Sequence, residues 1–118
     1  MKKYLSLLGA AILIPQLAWA HAHLKQSTPE AGSTVTTPAR IIAAFSEGLE
    51  PVFSTMAVSG EDGKSLDLGK ATIDPGDDKT LVLPIAHALA PGVYSVAWRA
   101  LSKDGHKTQG TWTFTVKP

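Results

Sequence analysis

The sequence predicts one all-β domain, a two-sheet Greek-key β-sandwich or small barrel, over residues 21–118. Short runs rich in β-branched and aromatic residues alternate with clusters of glycine, proline and aspartate that form turns. Two of these runs alternate strictly between apolar and polar residues, as half-buried antiparallel strands do. The only hint of a helical turn lies in residues 83–92, where Pro84 and Pro91 confine it.

The first twenty residues predict a cleaved secretory signal peptide. Lys2 and Lys3 form a positive start, a mostly apolar run fills residues 4–15, and "AWA" at 18–20 is the small-x-small pattern of a cleavage site. A membrane span needs about 20 apolar residues, so we expect no anchor after cleavage between Ala20 and His21. The mature chain, residues 21–118, is expected in the periplasm of a bacterium.

Composition excludes several classes of function. The chain has no cysteine, so disulfides, thiolate metal sites and cysteine nucleophiles are ruled out. Without Lys2 and Lys3, nine basic residues face ten acidic ones, and the mature chain has a charge near −1. A net charge this close to zero gives no electrostatic reason to expect binding to nucleic acid or anionic lipid. The mature length suffices for one small domain, which we expect to be a monomer.

The predicted strands follow in chain order, each bounded by turn residues. Residues 21–29 (HAHLKQSTP) read as the start of a strand, and five clearer runs follow. These are RIIAAFSE (40–47), STMAVSG (54–60), TLVLPI (80–85), GVYSVAWRALS (92–102) and TWTFTV (111–116). The alternation in the last two runs places Trp98 and Trp112 in the core. The turns GEDGK and DPGDD lack the spacing of calcium ligands in an EF-hand and read as solvated turns.

His21 is the first candidate metal ligand, because cleavage leaves its α-amine free beside its imidazole. The amine and Nδ1 close a six-membered chelate ring, and two nitrogen donors on one residue suit Cu(II). The amine, with a reference pKa of about 7.7–8.0, must lose a proton to bind, so copper affinity should fall at low pH. The alternative is a histidine that follows the cut by chance.

The segment SKDGHKTQG (102–110) is the second candidate. Asp104 and His106 flank Gly105, and an extended or bulged backbone would point both side chains the same way. Carboxylate and imidazole would supply the oxygen and nitrogen donors that complete a tetragonal site with His21. The alternative is an ordinary hairpin turn, because Asp-Gly is a common turn dipeptide. His87 has no acidic or histidine neighbour in sequence and reads as a surface or satisfied loop histidine.

These segments together resemble a known family. HAHLKQSTPEAGSTV (21–35), FSEGLEP (45–51) and GVYSVAWRALSKDGHKTQGTWTFTV (92–116) look like the CopC copper-resistance proteins, in particular their YobA-type members. The resemblance runs in order over essentially the whole mature chain. It implies a periplasmic Cu(II)-binding β-sandwich of Greek-key, immunoglobulin-like type.

The resemblance also implies roles for individual residues. His21 matches the N-terminal histidine that binds Cu(II) through its amine and imidazole. His106 matches the second imidazole ligand, and Asp104 matches an oxygen ligand or close neighbour of the metal. Glu47 matches an acidic residue near the site, where carboxylates orient metal-bound imidazoles. His23 would approach the copper from the same strand face as His21, although family members differ at this position.

The implied function is a carrier or buffer of one Cu(II) ion per mature chain, serving copper resistance or homeostasis rather than catalysis. The implied partner is an inner-membrane copper transport protein of the CopD kind. Some family members also hold Cu(I) with clustered methionines, but Met56 is the only methionine left after cleavage. We therefore expect Cu(II) binding only, with Met56 packed in the core.

Three alternatives stay open. A terminal histidine with a distant second one is also the copper brace of lytic polysaccharide monooxygenases, although the mature chain is short for such an enzyme. A local mode could wrap Cu(II) or Ni(II) in the amine, two backbone amides and the imidazole of His23, without Asp104 or His106. A metal-free structural module remains if His21 is not the mature N-terminus.

Overall fold

Two four-stranded sheets pack face to face in the computed structural model, which describes residues 22–118. The strands are β1 (Leu24–Thr28), β2 (Thr34–Val35), β3 (Arg40–Phe45), β4 (Thr55–Ser59), β5 (Thr72–Asp74), β6 (Asp77–Pro84), β7 (Gly92–Leu101) and β8 (Lys107–Val116). One sheet has the order β1-β3-β6-β5 and the other β2-β8-β7-β4. All pairs are antiparallel except β2 with β8. The predicted all-β sandwich is confirmed.

The β7–β8 hairpin supplies much of the core. Its strands pair continuously from Gly92 opposite Val116 to Leu101 opposite Lys107. The inward side chains alternate as predicted, and both Trp98 and Trp112 are buried. They pack with apolar side chains from the facing sheet, which come from β3 and β6. The other buried members of these four strands and β4 are Ile41, Ala43, Phe45, Met56, Val58, Leu81, Leu83, Tyr94, Val96, Ala100, Phe114 and Val116.

Two expectations about local structure were wrong. Residues 85–91 form bends rather than a helical turn, because prolines at both ends leave no room for one. Within residues 22–118 the only helical element is a 3₁₀ turn at Pro51–Phe53. The DPGDD segment is not all turn, because Asp77 and Asp78 already belong to β6. No helix in this part of the chain is long and apolar enough to cross a membrane.

The start of the described chain, the end of β3 and the β7–β8 turn meet at one end of the sandwich. Ala22 accepts a hydrogen bond from Thr108 at the start of β8. Two backbone hydrogen bonds tie the β7–β8 turn to the segment that follows β3: Glu50 N–H donates to Leu101 O at 2.8 Å, and Lys103 N–H to Gly48 O at 3.0 Å. This end therefore gathers the segments in which the sequence predicts a metal site.

Candidate metal centre

The β7–β8 turn is organised around the hydroxyl of Ser102. Ser102 is buried, and its side chain hydrogen-bonds to Asp104 Oδ1 and accepts the His106 N–H at 3.3 Å. Its backbone N–H donates to His106 O at 3.0 Å, and Gly105 N–H donates to Ser102 O at 2.9 Å. Gly105 has φ +93°, a conformation that side chains disfavour, which accounts for glycine between the two candidate ligands. The turn is thus fixed by bonds inside it.

Asp104 and His106 are in direct contact. His106 Nδ1 lies 3.1 Å from Asp104 Oδ1, and the side chains are about half exposed, 48% for His106 and 43% for Asp104. A neutral imidazole that donates Nδ1–H to a carboxylate carries its lone pair on Nε2, the arrangement in which a histidine binds a metal through Nε2. The contact therefore suits His106 to the role of a metal ligand.

Hydrogen bonds keep Asp104 anionic. Its pKa lies below the usual value, chiefly because Ser102 donates a hydrogen bond to it. Desolvation is the next largest effect and opposes this shift, whereas the side chain and backbone N–H of His106 add to it. A carboxylate with a lowered pKa stays charged over a wide pH range. Asp104 is therefore ready either to bind a cation or to orient the imidazole beside it.

The first described residues are anchored to both sheets. Thr108 Oγ1 donates to Ala22 O at 2.8 Å, and Ala22 is fully buried. His23 N–H donates to Ser46 Oγ at 2.9 Å, and Ser46 N–H donates to His23 O at 2.9 Å. The side chain of Ala22 lies in the core and His23 is exposed. The chain therefore enters the sandwich beside β8 and runs on along β3.

The segment carrying Glu47 is held by its neighbours. Glu47 is half-buried, and the next residue is Gly48, where a Cβ atom would lie 2.9 Å from Asp78 Oδ2 and 3.3 Å from Lys103 Cδ. Lys103 Nζ and Asp78 Oδ2 form an ion pair of 2.7 Å across the glycine. A larger residue at position 48 would require these two exposed side chains to shift. Backbone hydrogen bonds from Leu49 N–H to Asp78 O and from Lys103 N–H to Gly48 O connect this segment to the start of β6 and to the β7–β8 turn.

The structure brings together two of the predicted site residues, Asp104 and His106. His21 lies outside the described residues. Among residues 22–118 no three histidine, aspartate or glutamate side chains come close enough together to hold a metal by themselves. The turn and metal-site interpretations of SKDGHKTQG do not compete, because a tight turn is what brings the pair together.

Other predictions about single residues are settled by burial. His87 is exposed in the loop between β6 and β7, as predicted. Met56 is buried in β4, opposite Trp98, which confirms its place in the core. The sequence analysis missed Ser102 and Thr108. A serine two residues before Asp104 is a local signal for a side-chain-bonded turn, whereas the bond of Thr108 to a residue 86 positions away has no local signal.

Comparisons with known proteins agree with this picture. The model of the CopC domain family matches residues 24–117. Protein YobA of Escherichia coli K12 is 40% identical over 114 residues, covering 96% of this chain and 91% of that protein. Copper resistance protein C of Pseudomonas syringae pv. tomato is 39% identical over 119 residues, covering 97% and 94%. Copper transport protein CutJ of Bacillus subtilis is 27% identical over 114 residues, which are 96% of this chain and 21% of CutJ.

Solved structures show the same fold. CopC from Methylosinus trichosporium OB3b superposes with a TM-score of 0.76 at 32% identity, covering 83% of this chain and 95% of that one. PcoC from Escherichia coli, described as a methionine-rich copper resistance protein, superposes with a TM-score of 0.65 at 37% identity, covering 82% and 99%. At these identities the likeness extends to sequence as well as to fold.

Proposed function

The chain belongs to the CopC family, which includes copper resistance proteins, and from this premise we propose that it is a periplasmic Cu(II)-binding protein. It carries or buffers one Cu(II) ion for an inner-membrane copper transport protein of the CopD kind. The observation that carries the proposal is the hydrogen bond from Thr108 to Ala22, because it holds the start of the mature chain beside the strand that follows His106. Binding is reversible chelation, without a catalytic step.

The ligand set follows from this anchor. His21 is covalently joined to Ala22, and consecutive Cα atoms lie about 3.8 Å apart. Thr108 lies two residues after His106, about 7 Å along an extended strand. The proposed donors are the amine and imidazole of His21, the imidazole of His106 and an oxygen of Asp104. Three nitrogen donors and one oxygen in a tetragonal arrangement are typical of Cu(II).

Asp104 acts in two ways in this proposal. Its Oδ1 already accepts from His106 Nδ1, which fixes the ring and raises the basicity of the opposite nitrogen. Its second oxygen supplies the fourth ligand. His23 is a candidate for a further position, and Glu47 is proposed as a nearby charge rather than a ligand.

The chemistry of the donors favours Cu(II) over Cu(I). Thioether and thiolate ligands select Cu(I), but Met56, the only methionine after residue 1, is buried in the core, and the chain has no cysteine. The PcoC structure is that of a methionine-rich protein, so the present chain differs from it in this respect. We propose that it binds Cu(II) only.

The partner is inferred from CutJ. The match to this chain spans 21% of CutJ, a copper transport protein, so a similar domain is there part of a longer transport chain. We infer that here the copper-binding domain and the membrane transport protein are two separate proteins that act together. The predicted signal peptide would place this one in the periplasm, on the outer side of the inner membrane.

Electron paramagnetic resonance during Cu(II) titration tests the proposed chelate. The mature protein beginning at His21 is compared with the same protein extended by one N-terminal alanine. We expect a one-to-one, nitrogen-rich signal that is lost or much weakened on extension, because the amine is then no longer terminal. Equal binding by both proteins would rule out the His21 chelate.

The variant His106→Ala separates the folded site from the local His21–His23 mode, with His87→Ala as the matched control. The proposal expects His106→Ala alone to weaken Cu(II) binding. Unchanged affinity in His106→Ala would favour the local mode. Reductant-driven oxygen consumption or peroxide turnover by the copper-loaded protein would instead support the monooxygenase alternative.

A further inference from the structure

An exposed apolar turn stands at the metal-site end of the sandwich. The 3₁₀ turn Pro51–Phe53 leaves the side chains of Val52 and Phe53 in solvent, with exposed fractions of 80% and 65%. Single exposed apolar residues are ordinary on protein surfaces. Here, however, two large apolar residues are adjacent and form an apolar patch. The turn that carries them is held in place because the backbone N–H of the flanking residue Glu50 donates a hydrogen bond to Leu101 O.

Phe53 borders a groove on the outer face of the β7–β8 hairpin. The groove has a volume of about 430 Å³. Besides Phe53, it is lined by two cross-strand pairs, Leu101 with Lys107 and Arg99 with Gln109, and by Ala100 and Thr108 of the same strands. We call this surface the hairpin groove. Its apolar part comes from Phe53, Ala100 and Leu101, and the rest is polar or cationic. An apolar centre with a polar rim is the composition of a protein interface.

Both cations of the hairpin groove lack a carboxylate partner among residues 22–118. Arg99 and Lys107 are exposed and form no ion pair there, whereas nearby Lys103 is paired with Asp78. Glu50 stands beside the 3₁₀ turn and forms no ion pair with Arg99 or Lys107. The groove is therefore a local positive surface that anionic groups would complement.

The hairpin groove adjoins the proposed copper site along the chain. Lys107 directly follows His106, and Thr108, the next residue, holds Ala22. A molecule that contacts Lys107 and Phe53 therefore lies beside the turn that carries Asp104 and His106. Apart from Val52 and Phe53, no exposed large apolar residue among residues 22–118 lies at this end, because Val93 is on the far half of β7.

We infer that the hairpin groove docks the protein with which copper is exchanged, through a segment in which carboxylates flank an apolar side chain. The apolar side chain packs on Phe53 and Leu101, and the carboxylates pair with Arg99 and Lys107. This inference rests on the proposed function, since copper exchange gives the docking its purpose. Docking itself needs no bound metal, so the two can be tested separately.

The test is an NMR titration of the metal-free mature protein with two synthetic peptides. One carries leucine and phenylalanine between glutamates, and the other carries the same apolar residues between lysines. We expect the acidic peptide to shift the amide signals around Phe53, Arg99 and Lys107, with binding that weakens as salt is added. A response that is equal for both peptides, or that lies elsewhere on the protein, would overturn the inference.

Two variants test the contacts, each with a matched control. Arg99→Gln combined with Lys107→Gln should weaken the acidic peptide by about threefold to tenfold, the effect of two exposed ion pairs, whereas Lys64→Gln with Lys70→Gln should not. Phe53→Ser should weaken it by about tenfold or more, and Val93→Ser should not. Unchanged binding in both groove variants would refute the proposed contacts.

The same variants distinguish this inference from the proposed function. Copper titrations of the groove variants should give the parent paramagnetic signal, because neither variant removes a proposed ligand. If copper fails to bind the parent protein while the acidic peptide still docks in the groove, the proposed function fails and the docking surface stands. Sedimentation that shows a dimer abolished by Phe53→Ser would identify a second copy as the occupant and overturn the inference.

Discussion

Thr108→Val removes the hydrogen bond that anchors Ala22, and under the proposed function we expect it to weaken Cu(II) binding. Thr108 Oγ1 donates to Ala22 O at 2.8 Å, and Ala22 is fully buried. Valine has nearly the shape of threonine but no donor. The buried carbonyl of Ala22 then lacks the hydroxyl that donates to it, and the chain at Ala22 is less firmly held beside β8.

The magnitude follows from the cost of an unsatisfied buried acceptor, about 1–3 kcal/mol. The chain near Ala22 can relieve this cost by local fraying, which needs less free energy than global unfolding. The free energy of unfolding should therefore fall by about 1 kcal/mol or less. Copper binding, in contrast, requires the anchored conformation. The binding free energy should therefore weaken by about 1–2 kcal/mol, which is an affinity loss of about fivefold to thirtyfold.

The assay is a Cu(II) titration against a competing chelator, with urea unfolding of the same proteins. Thr108→Ser keeps the donor and should bind copper like the parent protein. Thr111→Val makes the same chemical change at an exposed position of β8 and should also have no effect. A folded Thr108→Val protein with parental affinity would refute the claim that this hydrogen bond organises the site.

Two further predictions concern the core and the turn. Gly110→Ala places a Cβ atom 2.7 Å from Trp98 Cζ2, so the free energy of unfolding measured in urea should fall by about 1–3 kcal/mol. The control Gly76→Ala meets no close contact and should change this free energy by less than about 1 kcal/mol. A parental stability for Gly110→Ala would contradict the predicted steric clash with Trp98. The pKa of Asp104 is lowered chiefly by the hydrogen bond from Ser102. The resulting stabilisation is present above the carboxyl's unfolded pKa and is lost as pH falls through the lower folded value. Carboxyl NMR titration of Ser102→Ala should show the pKa of Asp104 rising toward its usual value, and an unchanged pKa would assign the shift to another cause.

The long strands were predictable because periodicity alone reveals them. In β7 every second residue from Tyr94 to Ala100 is buried, and the sequence shows this alternation directly. β2 has only two residues, Thr34 and Val35, too few for any period. It exists because it pairs with the last residues of β8, a contact between distant parts of the chain. Strands of this kind depend on tertiary structure, and local sequence does not signal them.

Some residues of the candidate site could likewise be predicted from the sequence, whereas others could not. Asp104 and His106 were predicted because residue type and spacing already limit how far apart two side chains can be. Ser102 was missed although its spacing from Asp104 is a local signal for a side-chain-bonded turn. Thr108 was missed because nothing in the local sequence distinguishes its bonded hydroxyl from a solvated one. Thr108 acquires its role only when β1 and β8 are brought together by the packing of the two sheets.

The proposed site needs the whole sandwich because its residues come from both sheets. Ala22 leads into β1 of one sheet, whereas Thr108 belongs to β8 of the other, so their hydrogen bond joins the two sheets at the metal-site end. The proposed donors of His21 come with the first sheet, and those of Asp104 and His106 come with the second. An ion bound by both groups would bridge the sheets, and any ligand that binds only the folded state stabilises it. Under the proposed function, copper binding and the integrity of the sandwich are therefore coupled, whereas the local mode at His21 and His23 would leave them independent.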